Sequence, residues 1–291
     1  MSETAELFID SRCELGEGPI WNHFNGRLYW FDILNQTLLG AEPSGHITDR
    51  FIFEQPVSAA ALVDADTIAV AEAGALLQLT LSTDQRRVLA PIEPEKPGNR
   101  TNDSRVDRAG GFWIGTMSRR GDNDPNAGAV YRYCNGTLEQ IVPQITIPNS
   151  ICFSPDGRQA YLTDTPTKTI LTCSLDPETG RPNGPWRHFA SVDRGYPDGA
   201  VVDEEGFLWS ARWQGNCVVR HAPDGREVRV IDVPASRVSC PAFGGKDLKT
   251  LYLTTAREGM TLAELDVERQ AGSVFAIELD VAGLPEPLLT L

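Results

Sequence analysis

The sequence predicts an all-β fold, a six-bladed β-propeller with a central channel, and three observations carry that prediction. One phrase recurs along the 291 residues: a short apolar strand, a Gly/Asp turn, then a second strand rich in aromatic and β-branched residues. The copy at 196–212 reads YPDGAVVDEEGFLWSAR, and related copies begin at Glu17, Ser58, Asn102, Asn149 and Cys240, with Asp198 heading the fifth. These six positions are separated by 41, 44, 47, 49 and 42 residues. A period in the forties is the signature of a repeat architecture. Strands of about five residues with a turn signal every ten or so are the second observation. The third is that no helical periodicity persists beyond about two turns. Six four-stranded units make six blades.

Taken in order, ELFID (6–10) reads as a strand with no partner in its own repeat, and it is expected to pair into the last blade and close the ring. Closure removes an exposed sheet edge. Each repeat then supplies an inner strand, a turn such as Pro155-Asp156-Gly157 or Pro223-Asp224-Gly225, and a second strand. Glycine makes these turns because it takes positive φ cheaply. Third strands are LLQLTL (76–81), AVYRYC (129–134), TILTCSL (169–175), CVVRHA (217–222) and SVFAIEL (273–279). The stretches 121–128, 176–186 and 257–272 read as long loops, the last with one helical turn. Residues 1–291 are expected to form a single propeller domain.

Composition sets limits. A formal net charge of -14 argues against binding a nucleic-acid backbone or an anionic membrane surface. No apolar run is long enough to span a bilayer. The first residues show neither a basic nor an apolar leader region. The six cysteines are scattered without a CxxC pair, which suits free thiols better than disulfides or a zinc site. The expectation is a cytoplasmic monomer acting on a small molecule.

In a propeller the first strand of each blade lines the channel. The six repeat positions then form a ring of Glu17, Ser58, Asn102, Asn149, Asp198 and Cys240. Two carboxylates and two carboxamides converging on one axis repel unless a cation neutralises them. A hard divalent ion with oxygen ligands does so. The alternative is a polar funnel filled with water. Ser58 and Cys240 are expected to complete the channel wall. The four histidines miss the ring, which argues against a histidine triad.

LGEGP (15–19), RTND (100–103) with FWIGTM (112–117), Asn149 before ICFSPDG, YPDG (196–199) and KTLYLTTAR (249–257) together resemble the SMP-30/gluconolactonase/luciferin-regenerating-enzyme family, and the bacterial sugar lactonases in particular. The likeness covers essentially the whole chain. It implies a six-bladed propeller and a metal-dependent lactonase opening a sugar lactone to its acid. It implies one divalent metal ion (Ca, Zn, Mn, Mg or Fe(II)) held by Glu17, Asn149 and Asp198. Asp198 is implied as general base, or as a ligand alone, and Arg100 and Asn102 as substrate contacts. Asp103 is expected to have a structural role. The chain departs from the animal members at Arg119, where they carry an acidic residue that contacts substrate. Arg119 either reads a second carboxylate on an aldarolactone through paired charge-assisted hydrogen bonds, or points into solvent beside a neutral aldonolactone site. Two other readings remain: a non-catalytic metal-binding propeller, and a metal-dependent hydrolase of aryl esters or organophosphates.

Overall fold

A computed structural model describes residues 3–291. Six antiparallel sheets stand in a ring, each running outward from an inner strand. The inner strands are Gly16–Asn22, Val57–Leu62, Asn99–Val106, Pro148–Phe153, Tyr196–Val202 and Val238–Gly244. Each packs on the next, and the sixth packs back on the first. The six-bladed propeller is therefore as the repeat predicted. Blade 6 takes its outer strand from Glu6–Ile9, which pairs antiparallel with Val274–Glu278. The 6–10 segment thus closes the ring. Glu3–Thr4 adds a parallel strand outside blade 5, which the sequence reading did not anticipate. The 257–272 loop holds one short helix, Leu262–Val267, started by a capping box between Thr261 and Glu264. No helix among the described residues is long and apolar enough to cross a membrane.

The repeats cohere through a polar tie as well as apolar packing. In blade 3, Asp107 accepts from Trp113 Nε1 (3.0 Å) and Arg132 Nε (2.7 Å) as well as from the turn N–H groups of Ala109 and Gly111. Blade 5 repeats the arrangement with Asp203, Trp209 and Arg220. One buried carboxylate thereby satisfies the turn, the second strand and the third strand at once. Trp113 and Trp209 are fully buried between sheets. The C-terminal segment has no regular structure of its own. It crosses the end of the channel opposite the candidate site, with Glu286 on Arg105, Thr290 on Gly110 and Leu289 on Leu62.

All six inner strands carry a bulge near the ring position. Pairing to the second strand jumps from Glu17 to Ile20, Val57 to Ala59, Thr101 to Ser104, Asn149 to Cys152, Pro197 to Ala200 and Val238 to Pro241. Each jump inserts one extra residue on the inner strand. A bulge bends the strand and re-aims its side chains, which is how it serves active sites.

Candidate active site at one mouth of the channel

The register corrects the ring. Glu17 and Asn149 are the last paired residues before their bulges, whereas Ser58, Asn102 and Asp198 are the first unpaired ones and Cys240 the second. The consequence is visible in what faces what. Glu17, Asn102, Asn149 and Asp198 line one cavity of about 560 Å³, together with Arg100. Ser58 and Cys240 do not complete its wall. The Ser58 hydroxyl is buried on Thr101 Oγ1 and the Asn102 carbonyl. Cys240 lies beside Asp103 and Arg105, facing a small void toward the opposite end.

Local structure holds the strands that bear Glu17 and Asn149 tightly. Asp32, ending the second strand of blade 1, accepts from the N–H groups of Glu14 and Leu15 just before Glu17. Asp164 does the same for Thr146 and Ile147 just before Asn149. The bulges at Glu17 and Asn149 then open on left-handed residues, Gly18 (φ 53) and Ser150 (φ 56). Glycine suits the first, and a Cβ at Gly18 would collide with the Ser58 carbonyl. Ser150 tolerates the second because its hydroxyl donates to the Asp198 carbonyl at 2.6 Å.

The electrostatics are unusual. Glu17 and Asp198 are buried, and neither forms an ion pair among the described residues. Each takes a hydrogen bond from the following residue's N–H, Gly18 to Glu17 at 2.6 Å and Gly199 to Asp198. Burial, reinforced by the nearby Asp103 charge, pushes Glu17 up to about 8. Burial, then Glu17, then Asp103 and Glu258, hold Asp198 well above the usual carboxylate range. Asp103 is itself raised to about 6 by burial, and its Oδ2 accepts from Ile151 N–H at 2.7 Å across to blade 4. Arg100 is buried and forms no ion pair among the described residues. Burial lowers its pKa, against the pull of Glu258, Glu17 and Asp198. Its Nη1 donates to Thr101 O and Asn102 Oδ1, at 2.9 and 2.7 Å.

The amides form a directed chain. Arg100 donates to Asn102 Oδ1; Asn102 Nδ2 donates to Asn149 Oδ1 (2.9 Å) and Pro148 O (3.0 Å); Asn149 Nδ2 donates to Thr165 Oγ1 (2.8 Å); Thr165 donates to Pro197 O (2.9 Å). A guanidinium only donates and a peptide carbonyl only accepts, so both ends dictate the same direction. The chain fixes both amide orientations without ambiguity between O and N. Both amide hydrogens of Asn102 are engaged, leaving one lone pair on its Oδ1.

Among the described residues no three His, Cys, Asp or Glu side chains gather as a metal-binding group. The donor set here is instead two buried carboxylates, Glu17 and Asp198, with the Asn149 carboxamide, all on the wall of one cavity. Oxygen donors bearing uncompensated negative charge suit a hard divalent cation, and the residues present fit one.

Arg119 stands outside the cavity lining. Its exposed guanidinium donates to Gln55 Oε1 at 3.0 Å and to Asn99 O at 3.4 Å. The sequence reading missed Thr165, Tyr196, Trp213, Asp122 and Glu258, which also line the cavity. Thr165, Asp122 and Glu258 follow the second strands of blades 4, 3 and 6, and Trp213 ends that of blade 5. In an antiparallel blade the end of the second strand lies beside the start of the first. That topology, read from the repeat, was the available signal.

The family model described as SMP-30/Gluconolactonase/LRE-like region matches residues 15–257. The chain is 36% identical over 285 residues to an L-arabinolactonase of Azospirillum brasilense, covering 96% of this chain and 93% of that protein. It is 33% identical over 291 residues to a 6-deoxy-6-sulfogluconolactonase of Pseudomonas putida, covering 99% of each. Among solved structures, a calcium-binding regucalcin of Agrobacterium tumefaciens superposes with a TM-score of 0.96 at 34% identity, covering 99% of this chain and 98% of that one.

Proposed function

The chain belongs to the SMP-30/gluconolactonase/LRE-like family, and on that premise we propose that it hydrolyses the ring ester of a sugar lactone to the open-chain acid. The observation that carries this reading is the convergence of Glu17, Asn149, Asp198 and Arg100 on one cavity large enough for a sugar ring. A divalent cation held by Glu17, Asn149 and Asp198 would polarise the lactone carbonyl and lower the pKa of water. The remaining chemistry belongs to the chain. Asp198, on the cavity wall, accepts a proton from the attacking water. The hydroxyl adds to the carbonyl carbon, the ring C–O bond breaks, and the proton passes to the departing alkoxide. Arg100 has Nε and Nη2 free of protein partners among the described residues, and it donates to the developing oxyanion or a ring hydroxyl. Asn102 holds Arg100 and Asn149 in place. Tyr196 and Trp213 supply an apolar wall for the sugar's C–H face.

The substrate we propose is a neutral aldonolactone. Among the described residues Arg100 is the one cation lining a cavity that also presents Glu17, Asp122, Asp198 and Glu258. A second carboxylate on the substrate would meet mostly like charge unless Arg119 left Gln55 and turned inward. Ring closure also favours a monomer, and the absence of disulfides suits the cytoplasm. The test is hydrolysis of a panel of pentonic, hexonic and aldaric lactones by purified protein, with and without chelator. Turnover that chelator removes and a divalent ion restores is the expected result. No turnover on any lactone overturns the reading.

A further inference from the structure

Thr165 has no place in the proposed chemistry, yet it terminates the amide chain on the cavity wall. It opens the short 3-10 turn Thr165–Thr167, anchored from below by Asp164 on Thr146 and Ile147. Its hydroxyl has two commitments. It donates to the Pro197 carbonyl at 2.9 Å, one residue before Asp198, and so it accepts from Asn149 Nδ2 at 2.8 Å. A hydroxyl has one hydrogen to give. With that hydrogen on Pro197 O, the side of Asn149 that faces Thr165 must be the NH2 group, and its oxygen must lie on the Asn102 side. Thr165 therefore bridges the strand that bears Asn149 to the strand that bears Asp198.

We propose that Thr165 is a positioning residue that presents the carboxamide oxygen of Asn149, and the adjacent Asp198 strand, to a divalent cation; this rests on the cation-assisted reading given above. Without the Thr165 hydroxyl the amide can turn its NH2 group toward the cation, which that group repels, and the Asp198 strand loses this tie to blade 4. Groups that orient a metal ligand typically change metal affinity by about 10- to 100-fold when removed. The Arg100–Asn102 end holds the same amide from the other side, so the effect of losing Thr165 alone falls toward the lower end of that range.

The experiment compares Thr165→Val, which keeps shape and removes the hydroxyl, with Thr165→Ser, which keeps the hydroxyl. Calcium and manganese binding to chelator-treated protein is measured by titration calorimetry, independently of turnover, alongside kcat and KM. Thr165→Val is expected to bind cation about tenfold more weakly. Thr165→Ser is expected to return to within about threefold of wild type, and both to unfold cooperatively. Wild-type cation affinity in Thr165→Val, equal weakening in both variants, or no cation binding by the wild type each overturns the proposal. Loss of turnover on every lactone by a wild type that binds cation overturns the lactonase reading and leaves the positioning of Asn149 standing.

Discussion

Ser150 Oγ donates to the backbone carbonyl of Asp198 at 2.6 Å, and this one bond ties the bulge that follows Asn149 to the bulge that contains Asp198. Ser150 makes it from the left-handed region, at φ 56. Such a conformation in a residue with a Cβ is strained by roughly 1–3 kcal/mol and persists where its surroundings over-determine it.

The first expectation follows directly. Ser150→Ala keeps the strain and strands a buried carbonyl, a loss of about 1–3 kcal/mol. Ser150→Gly loses the same bond but relieves the backbone. In chemical denaturation Gly should therefore be the milder substitution, and both should lower kcat/KM by loosening Asp198. An alanine variant as stable as wild type would show that the bond holds nothing.

Glu17, Asp103 and Asp198 are mutually repelling and buried. Removing one of these charges should trade function for stability. Glu17→Gln is expected to lower kcat/KM by about a hundredfold or more, the scale on which preorganised electrostatic groups act. In chelator at pH 7 its thermal midpoint should exceed that of wild type, because a buried Glu17 raised to about 8 must take up a proton on folding and Gln need not. A lower midpoint in chelator, by scanning calorimetry, would contradict this.

His221 gives the pH dependence. Its Nδ1 lies 3.0 Å from Gly225 O and its Nε2 2.8 Å from Arg212 Nη2. Nδ1 must carry the hydrogen and Nε2 must accept from the guanidinium. Burial first, and the Arg212 charge, lower its pKa, against Gly225 O and Glu227. The unfolded chain then takes up this proton at a higher pH than the folded one. The contribution is complete above about pH 6.5 and declines as pH falls from there toward the folded pKa. His221→Gln should flatten the loss of stability between about pH 7 and 5. An unchanged slope in denaturant melts at both pH values would rule His221 out as its source.

Arg119, exposed and engaged with Gln55, separates the two substrate charges. Arg119→Ala should change kcat/KM for a neutral aldonolactone by less than about twofold, since nothing places its guanidinium in the cavity. A charged contact contributes about 1.5–3 kcal/mol. A drop of about tenfold or more confined to glucarolactone would instead make Arg119 the reader of a second carboxylate.

The sequence by itself determined the blade count, the closing strand at 6–10 and four of the residues on the cavity wall, because a period in the forties and the Gly/Asp turns are local facts that each repeat restates. Glu17, Asn149 and Asp198 could be named from their place in the repeat. Their roles could not be separated there, because one extra residue in each inner strand shifts the register, and side chains alternate faces with every residue. Only the tertiary structure showed that Ser58 turns to Thr101 and Asn102 of the next blade and that Cys240 faces a void toward the opposite end. It alone brought Thr165 of blade 4 against Pro197 of blade 5, a contact that no pattern within either repeat encodes. The direction of the amide chain needed both of its ends, Arg100 and Pro197, at hydrogen-bonding distance. A donor-only group and an acceptor-only group lying 97 residues apart impose an order on the amides between them only when the fold closes the path.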